Sequence, residues 1–116
     1  TRYIGVTGVQ TCALPILQTP PDPRQAALLP VVRYAVARRM AAGQPDYWDY
    51  ATQLELAVLA CDAAGAQTAL ADALAHRRER WEGETTANNL RLIAQARAQR
   101  GEAVDELDAI IEDLLA

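Results

Sequence analysis

Apolar residues recur every three or four positions from about residue 24 to the C-terminus, which is the spacing of helices with one buried face. Short polar or glycine-containing breaks divide this part of the chain into about five helical segments. The last segment is the most regular, with aliphatic residues on one face and acidic residues on the other: Val104, Leu107, Ile110, Ile111, Leu114 and Leu115 against Asp105, Glu106, Asp108, Glu112 and Asp113. The pattern predicts an all-α domain over residues 24–116, and a charged outer surface on the last helix is typical of a terminal cap.

Residues 46–75 form the segment around which the others are arranged, two helices that meet at Cys61 and Asp62. Apolar residues fall on two sides of the first helix, so we expect this helix to be buried on two sides. Asp46 and Asp62 stand where a side chain can cap the free amides of the two helices. Residues 84–116 repeat the plan of helix, polar turn and helix, which predicts antiparallel helical hairpins stacked as a short solenoid.

The helix before this hairpin carries a single apolar stripe, formed by Leu29, Val32, Val36 and Met40. Pro30 either opens this helix at its first turn or kinks a longer one. Gly43 and Pro45 are expected to end it.

The stretch between the two hairpins is rich in charge. The run His76-Arg77-Arg78-Glu79-Arg80 is expected to end the second helix, where the helix dipole favours cations. Trp81, Glu82 and Gly83 are then predicted to form a turn, with Thr85 or Thr86 capping the next helix.

The first sixteen residues differ in character from everything that follows, with no acidic residue and one charge, Arg2. The codons for Val6 to Ile16 can be written as a standard short-read sequencing adapter, and both flanks agree with it. We therefore interpret residues 1–16 as an unstructured artefact, the alternative being a genuine N-terminal extension. On this interpretation Cys12 is not biological and the native protein extends further N-terminally. Residues 17–23 hold three prolines and are predicted to be a linker.

Composition excludes several classes of function. Eleven arginines, with no lysine, face fifteen acidic residues for a formal charge of −4, and setting Arg2 aside leaves −5. This balance argues against binding of nucleic acid or an anionic membrane. Without Cys12, the remaining cysteine is Cys61, so neither an intramolecular disulfide nor a cysteine-ligated zinc site is expected, and a reducing cytoplasm is the predicted compartment. The single histidine, His76, has charged neighbours and is expected to be exposed; no metal or cofactor is predicted.

Two stretches, DYWDYATQLELAVLACD and WEGETTANNLRLIAQAR, resemble the tetratricopeptide-type domain of bacterial proteins known as TRAFs-binding, whose members are also described as tetratricopeptide sensor domains. With the turn aligned at Asp62, Ala66 and Ala73 occupy the small positions of the second helix and Leu70 the large one. The chain departs from the repeat in two ways. Asp62 and Glu102 are forty residues apart, against about 34 in the standard repeat, and the Trp-Leu-Gly-Tyr signature is absent.

The resemblance implies a regulatory helical-repeat module, often joined to effector or signalling domains, with a proposed role in recognising a small, nucleotide-derived ligand. On the family pattern, candidate ligand or partner residues cluster at the starts of the first helices of the two hairpins: Asp46, Tyr47, Trp48, Trp81, Glu84, Thr85, Thr86 and Asn89. Aromatic rings can stack on a base, and Thr, Asn and helix-start amides can bind phosphate. The alternative is structural: Asp46 and Thr85 or Thr86 act as caps, and Trp48 and Trp81 fill gaps between hairpins.

No catalytic constellation is recognisable. Cys61 is interpreted as a packed thiol rather than a nucleophile, since no histidine stands at a readable spacing from it. Arg77, Arg78 and Arg80 are interpreted as a solvated helix end rather than a phosphate clamp.

The sequence therefore favours a non-enzymatic regulatory module of a larger bacterial signalling or effector protein. We expect it to bind a protein or peptide partner, with missing N-terminal domains of the same protein among the candidates. The alternative is a sensor of a small ligand. If the chain is truncated, the helix before Gly43 has lost a neighbour, and we expect exposed apolar surface there with marginal stability or self-association.

Overall fold

The computed structural model describes residues 25–116, and that range contains five α-helices: α1 Gln25–Ala42, α2 Tyr47–Leu59, α3 Ala63–His76, α4 Arg80–Gln99 and α5 Asp105–Leu115. No strand occurs among these residues, which confirms the predicted all-α class and helix number. α2 packs against α3 and α4 packs against α5, so that the helices form two hairpins, and α1 packs on α2. The predictions for residues 1–16 and 17–23 lie outside the described residues.

α2 is the central helix, because it contacts α1, α3 and α4. Every residue from Leu54 to Leu59 is buried, which confirms that this helix is covered on two sides. Its Leu54 and the Leu90 of α4 are both fully buried in one core cluster that also contains the apolar face of α5. The two hairpins therefore share one core. Burial of each such leucine contributes roughly 1.5–3 kcal/mol to stability.

α1 is held on one face only. Leu29 is buried, and Val32 and Val36 pack half-buried against the core, as the apolar stripe predicts. Pro30 is the sixth residue of the helix, so it lies within a longer helix rather than opening it. The helix ends at Ala42, directly before Gly43, as expected.

Both hairpins turn through the same hydrogen-bonded motif. At the end of α2 the amide of Cys61 donates to Val58 O at 3.1 Å and that of Asp62 to Ala57 O at 2.9 Å. This double bond pattern is the Schellman motif, in which the residue after the C-cap adopts a left-handed conformation. Cys61 accordingly has a φ of +57°.

The same motif ends α4. The amide of Gly101 donates to Ala98 O at 3.0 Å and that of Glu102 to Arg97 O at 2.9 Å. Gly101 has a φ of +77°. A glycine tolerates this conformation without steric cost, whereas Cys61 does not.

The prediction of a packed thiol at Cys61 is wrong, because the residue is exposed. The turn between α2 and α3 must reverse the chain within a few residues, and Cys61 takes the left-handed position directly after the C-cap residue, where its side chain is exposed. Asp62 then caps α3 as predicted, accepting from the amide of Gly65 at 2.9 Å.

The start of α4 also differs from the prediction. The helix begins at Arg80, so Trp81, Glu82 and Gly83 belong to its first turn rather than to a loop. Thr85 and Thr86 lie in the second turn and cap nothing. The reason is Glu82, whose carboxylate accepts from the amides of Arg78 at 2.8 Å and Glu79 at 3.1 Å and so satisfies the helix start from within.

α5 closes the second hairpin with its apolar face inward, and Leu107, Ile110, Ile111 and Leu114 are all buried, as predicted. Arg77, in the link between α3 and α4, donates from Nη1 to Leu114 O at 3.0 Å, which satisfies a carbonyl at the end of α5. A Cβ built on Gly83 would lie 2.5 Å from the same carbonyl oxygen, so only glycine permits this close approach of α4 and α5.

Candidate functional site

The first turns of α2 and α4 are built alike and lie side by side. In α2, the amide of the N-cap residue Asp46 donates to Asp49 Oδ2 at 3.0 Å, and in α4 the amide of Glu79 donates to Glu82 Oε1 at 3.1 Å. The tryptophan two positions after each N-cap residue is Trp48 or Trp81. The pattern acid-x-Trp-acid therefore occurs twice, at the start of each hairpin.

In α2, Asp46 is the N-cap, since its Oδ1 accepts from the amide of Asp49 at 3.1 Å. Arg39 of α1 donates from Nε to Asp49 Oδ1 at 2.8 Å and so ties α1 to this end of α2. Burial works against ionisation of Asp49, but the amide of Asp46 and the Arg39 guanidinium outweigh it and hold the pKa of Asp49 below its ordinary value.

In α4, Glu82 has the corresponding role but is almost completely buried, at 1% exposure. Arg78 Nη2 donates to Glu82 Oε2 at 3.0 Å in addition to the two backbone amides. Burial disfavours the charged form of Glu82, yet these hydrogen bonds and the Arg78 charge are stronger and lower its pKa. The carboxylate is thus ionised and fully used in holding the helix start.

A seam of buried polar residues joins α2 to α4 behind these first turns. The hydroxyl of Tyr47 lies 3.1 Å from Glu82 O and 2.8 Å from Thr86 Oγ1. Two turns further along, Asn89 Nδ2 donates to Glu55 Oε2 at 3.0 Å. Burial, with the nearby carboxylates of Glu55 and Glu82, raises the pKa of Tyr47 and more than offsets the hydrogen bond to Thr86, so the phenol keeps its proton.

Two tryptophan rings lie in front of this seam. The centroids of Trp48 and Trp81 are 5.7 Å apart with the rings tilted by 41°, and Tyr47 packs edge-on against Trp48 at 5.0 Å. Trp48 is half-buried, whereas Trp81 is 55% exposed. We call the surface formed by Trp48 and Trp81 the aromatic edge; it is where the two hairpins contribute equivalent residues to one surface.

The eight predicted site residues therefore fall into three environments. Tyr47, Thr86 and Asn89 are buried and hydrogen-bonded within the seam. Trp48 and Trp81 form the aromatic edge, with Asp46 as the cap below it. On α4, Thr85 is half-buried, and Glu84 is exposed and accepts from Arg80 Nε at 3.2 Å.

Two features of this region were missed in the sequence. The sequence predicts a turn at Glu82 because neither Glu79 nor any neighbour is a usual N-cap residue. The sequence gives no sign of a role for Glu55, because its position falls within an apolar stripe. The position of Glu82 in a helix start could have been predicted from a repeated pattern, because D-Y-W-D at residues 46–49 recurs as E-R-W-E at residues 79–82.

Other candidate chemistry lies apart from the edge. His76 is exposed, as predicted, and its ring stacks on Tyr50 at 4.5 Å while Nδ1 lies 2.8 Å from Asp72 O. Arg77 and Arg78 are engaged with the end of α5 and with Glu82. Within residues 25–116, no group of three His, Cys, Asp or Glu side chains could hold a metal ion.

A groove of about 580 Å³ opens at the other end of the hairpins, between α3 and α5. Its lining includes the buried apolar residues Ala57, Ala66 and Ile110 and the less buried carboxylates of Asp62 and Glu106. Arg97 Nη2 lies 3.6 Å from Cys61 Sγ beside it. No sequence pattern indicated this groove, because its lining comes from four helices.

The described part of the chain is thus an all-α domain of helical hairpins joined by a buried polar seam. A family model, the MAP3K TRAFs-binding domain, matches residues 15–112, and the chain belongs to this family. The match includes both acid-x-Trp-acid turns and all five helices except the last residues of α5. Searches of the curated proteins and of the solved structures find no match to the chain.

Proposed function

We propose that this domain is a non-enzymatic module that binds a protein or peptide partner through the aromatic edge, as part of a larger bacterial signalling or effector protein of the cytoplasm. The name of the family, which refers to binding of TRAFs, supports a protein partner of some kind. None of the described helices has the length and apolar character required to span a bilayer.

The observation that carries the proposal is the exposure of Trp81. Trp81 packs against Trp48 but remains 55% exposed, so a large part of its apolar surface lies in water. Tryptophan is among the residues most enriched in the energetic centres of protein interfaces. The charged groups next to Trp81 are paired with each other, Arg80 with Glu84 and Arg78 with Glu82. The aromatic edge is therefore an apolar surface with a polar rim, as in many protein interfaces.

Selection of peptides from a random display library against the immobilised chain tests the proposal. We expect selected peptides to quench the fluorescence of the two tryptophans of the chain and to bind Trp81→Ala at least about tenfold more weakly, as for a central interface residue. The matched control is Tyr34→Ala, because Tyr34 is an aromatic residue of similar exposure, 65%, on α1. Selected peptides that bind Trp81→Ala and the parent chain equally well would refute the role of the edge.

A second candidate function, a sensor of a small nucleotide-derived ligand, has support from the same exposed ring. A base can stack on an indole face, and Arg80 lies next to it in the sequence. A panel of nucleotides should then raise the melting temperature of the parent chain but not that of Trp81→Ala. Asn89→Ala is not a suitable probe, because Asn89 is buried and bonded to Glu55, and its loss would disturb the seam whether or not a ligand binds. No shift with any nucleotide would count against the sensor and leave the peptide-binding proposal standing.

A further inference from the structure

The two ends of the helical stack differ in chemistry. At one end is α1, which packs on α2 with the face that contains Leu29, Val32 and Val36. At the other end is α5, which packs on α4. Each of these helices turns a second face away from the other described helices.

The outer face of α1 is apolar with one cation. Val31 is 67% exposed and Tyr34 is 65% exposed, and the guanidinium of Arg38 lies 6.0 Å from the centroid of the Tyr34 ring. Arg33 and Arg39 instead point to their own chain, where they pair with Asp62 and Asp49. α1 contains no acidic residue.

The outer face of α5 is acidic and contains no cation. Its five acidic residues are all exposed, and none of them forms an ion pair with another described residue: Asp105, Glu106, Asp108, Glu112 and Asp113. Ala109 lies among them and is exposed as well, which leaves a small apolar patch on which a larger side chain can pack.

We propose that copies of this chain associate head to tail, with the outer face of α1 of one copy packing on the outer face of α5 of the next. Charge decides between this arrangement and a symmetric pairing of two α1 helices. A symmetric contact would bring the arginines of two helices without acidic residues together, whereas the head-to-tail contact places Arg38 against the exposed carboxylates of α5. Val31 and Tyr34 then cover Ala109 and the stems of the acidic side chains.

A contact of this kind is heterologous, so it does not close on itself with two copies. Association should therefore grow with concentration through dimers to longer species. Because its charge pairs are exposed, it should also weaken with salt, as the Debye length falls from about 30 Å at 0.01 M to about 3 Å at 1 M.

Sedimentation velocity on the full chain, at concentrations up to about 1 mM, where weak contacts become populated, tests the proposal. We expect concentration-dependent association at low salt that is lost at high salt. Arg38→Glu alone and the double variant Glu112→Arg, Asp113→Arg alone should each lower the association constant roughly three- to tenfold, since each turns attraction between exposed charges into repulsion.

An equimolar mixture of these two variants provides the decisive measurement. The acidic residue at position 38 of one variant meets the new arginines of the other, and the unchanged faces also remain complementary, so association should return. Arg91→Glu is the matched control, because it reverses an exposed charge on α4, outside both faces, and should associate like the parent chain. Far-ultraviolet circular dichroism verifies that each variant keeps its helices.

Three results would overturn the proposal. One is a parent chain that stays monomeric at low salt, as it would if α1 were covered by another segment of the chain or reserved for a different protein. Another is association that persists at high salt and is unchanged in Arg38→Glu, which would indicate a symmetric apolar contact between α1 helices. The last is a mixture of the two folded variants that associates no better than either variant alone.

Discussion

The two hairpins begin and turn in the same way but differ in the length of their first helix. The acid-x-Trp-acid starts lie at residues 46–49 and 79–82, 33 positions apart, whereas the Schellman turns at Cys61 and Gly101 lie 40 positions apart. The difference is the additional length of α4, which has 20 residues against the 13 of α2. Seven residues correspond to about two helical turns.

The longer α4 accounts for the spacing that departs from the standard repeat. The distance between the hairpin starts is close to the repeat of about 34 residues, and only the distance between the turns is longer. The hairpins are thus in register at the aromatic edge, where Trp48 and Trp81 meet, and out of register at the far end, where the groove opens between α3 and α5. Regular repetition brings the two tryptophans together, and the longer α4 separates the turns.

Glu82 and Asp49 occupy equivalent positions in the first turns of α4 and α2, and we expect their removal to give the largest difference in stability between the two hairpins. Glu82→Ala removes a buried carboxylate that satisfies two amides and Arg78, and we expect the free energy of unfolding to fall by about 3 kcal/mol. Asp49→Ala removes the corresponding but less buried group and should cost about 1 kcal/mol. Urea denaturation followed by circular dichroism measures both, and equal losses would show that burial does not separate the two starts.

The same carboxylate should make the second hairpin sensitive to acid. Because the pKa of Glu82 is lowered in the folded state, its contribution is present above the unfolded value of 4.5 and is lost as pH falls below it. The effect should be smaller than that of Glu82→Ala, since a protonated carboxyl still occupies the space and accepts one bond. Urea denaturation between neutral and acidic pH tests this: Glu82→Gln should show a flatter dependence below pH 4.5 than the parent chain. Parallel curves would assign the acid sensitivity to other groups.

The sequence predicted the helices well because the apolar face of each helix is visible in the spacing of its own residues. The faces of α2 and α5, the stop at Gly43 and the cap at Asp62 all follow from local patterns. The start of α4 did not follow, because a buried glutamate three residues inside the helix replaces the usual cap. The exposure of Cys61 was missed because the sequence does not reveal which residue of a turn takes the left-handed conformation when none is a glycine.

The candidate site was predictable only in part. The recurrence of tryptophan near two helix starts indicated an edge, and the two rings do lie in contact. That Thr86 and Asn89 face inward could not be predicted, because it depends on how α2 and α4 pack together. Their polar groups are paired across the helices rather than along one of them.

The turns provide a further test of the equivalence of the hairpins, with a smaller expected effect. Gly101→Ala places a Cβ on a residue with a φ of +77°, but that Cβ would meet no atom within 4 Å. The cost should therefore be conformational alone, about 1 kcal/mol. Thermal and urea unfolding measure it, and Gly43→Ala is the control, since Gly43 has no positive φ and its Cβ would approach only Arg39 O, at 4.0 Å. A loss no larger than that of the control would mean that the turn relaxes when the glycine is replaced.

The reverse substitution in the first hairpin should have the smallest effect and the opposite sign. Cys61 occupies the position equivalent to Gly101, with a φ of +57° and an exposed side chain. Cys61→Gly relieves the left-handed strain but adds flexibility to the unfolded chain, so we expect a net gain of about 0.5 kcal/mol. Cys61→Ala is the matched variant: it keeps the strain and removes only the contact of the thiol with Arg97. If Cys61→Gly were no more stable than Cys61→Ala, left-handed strain would not be what distinguishes the two turns.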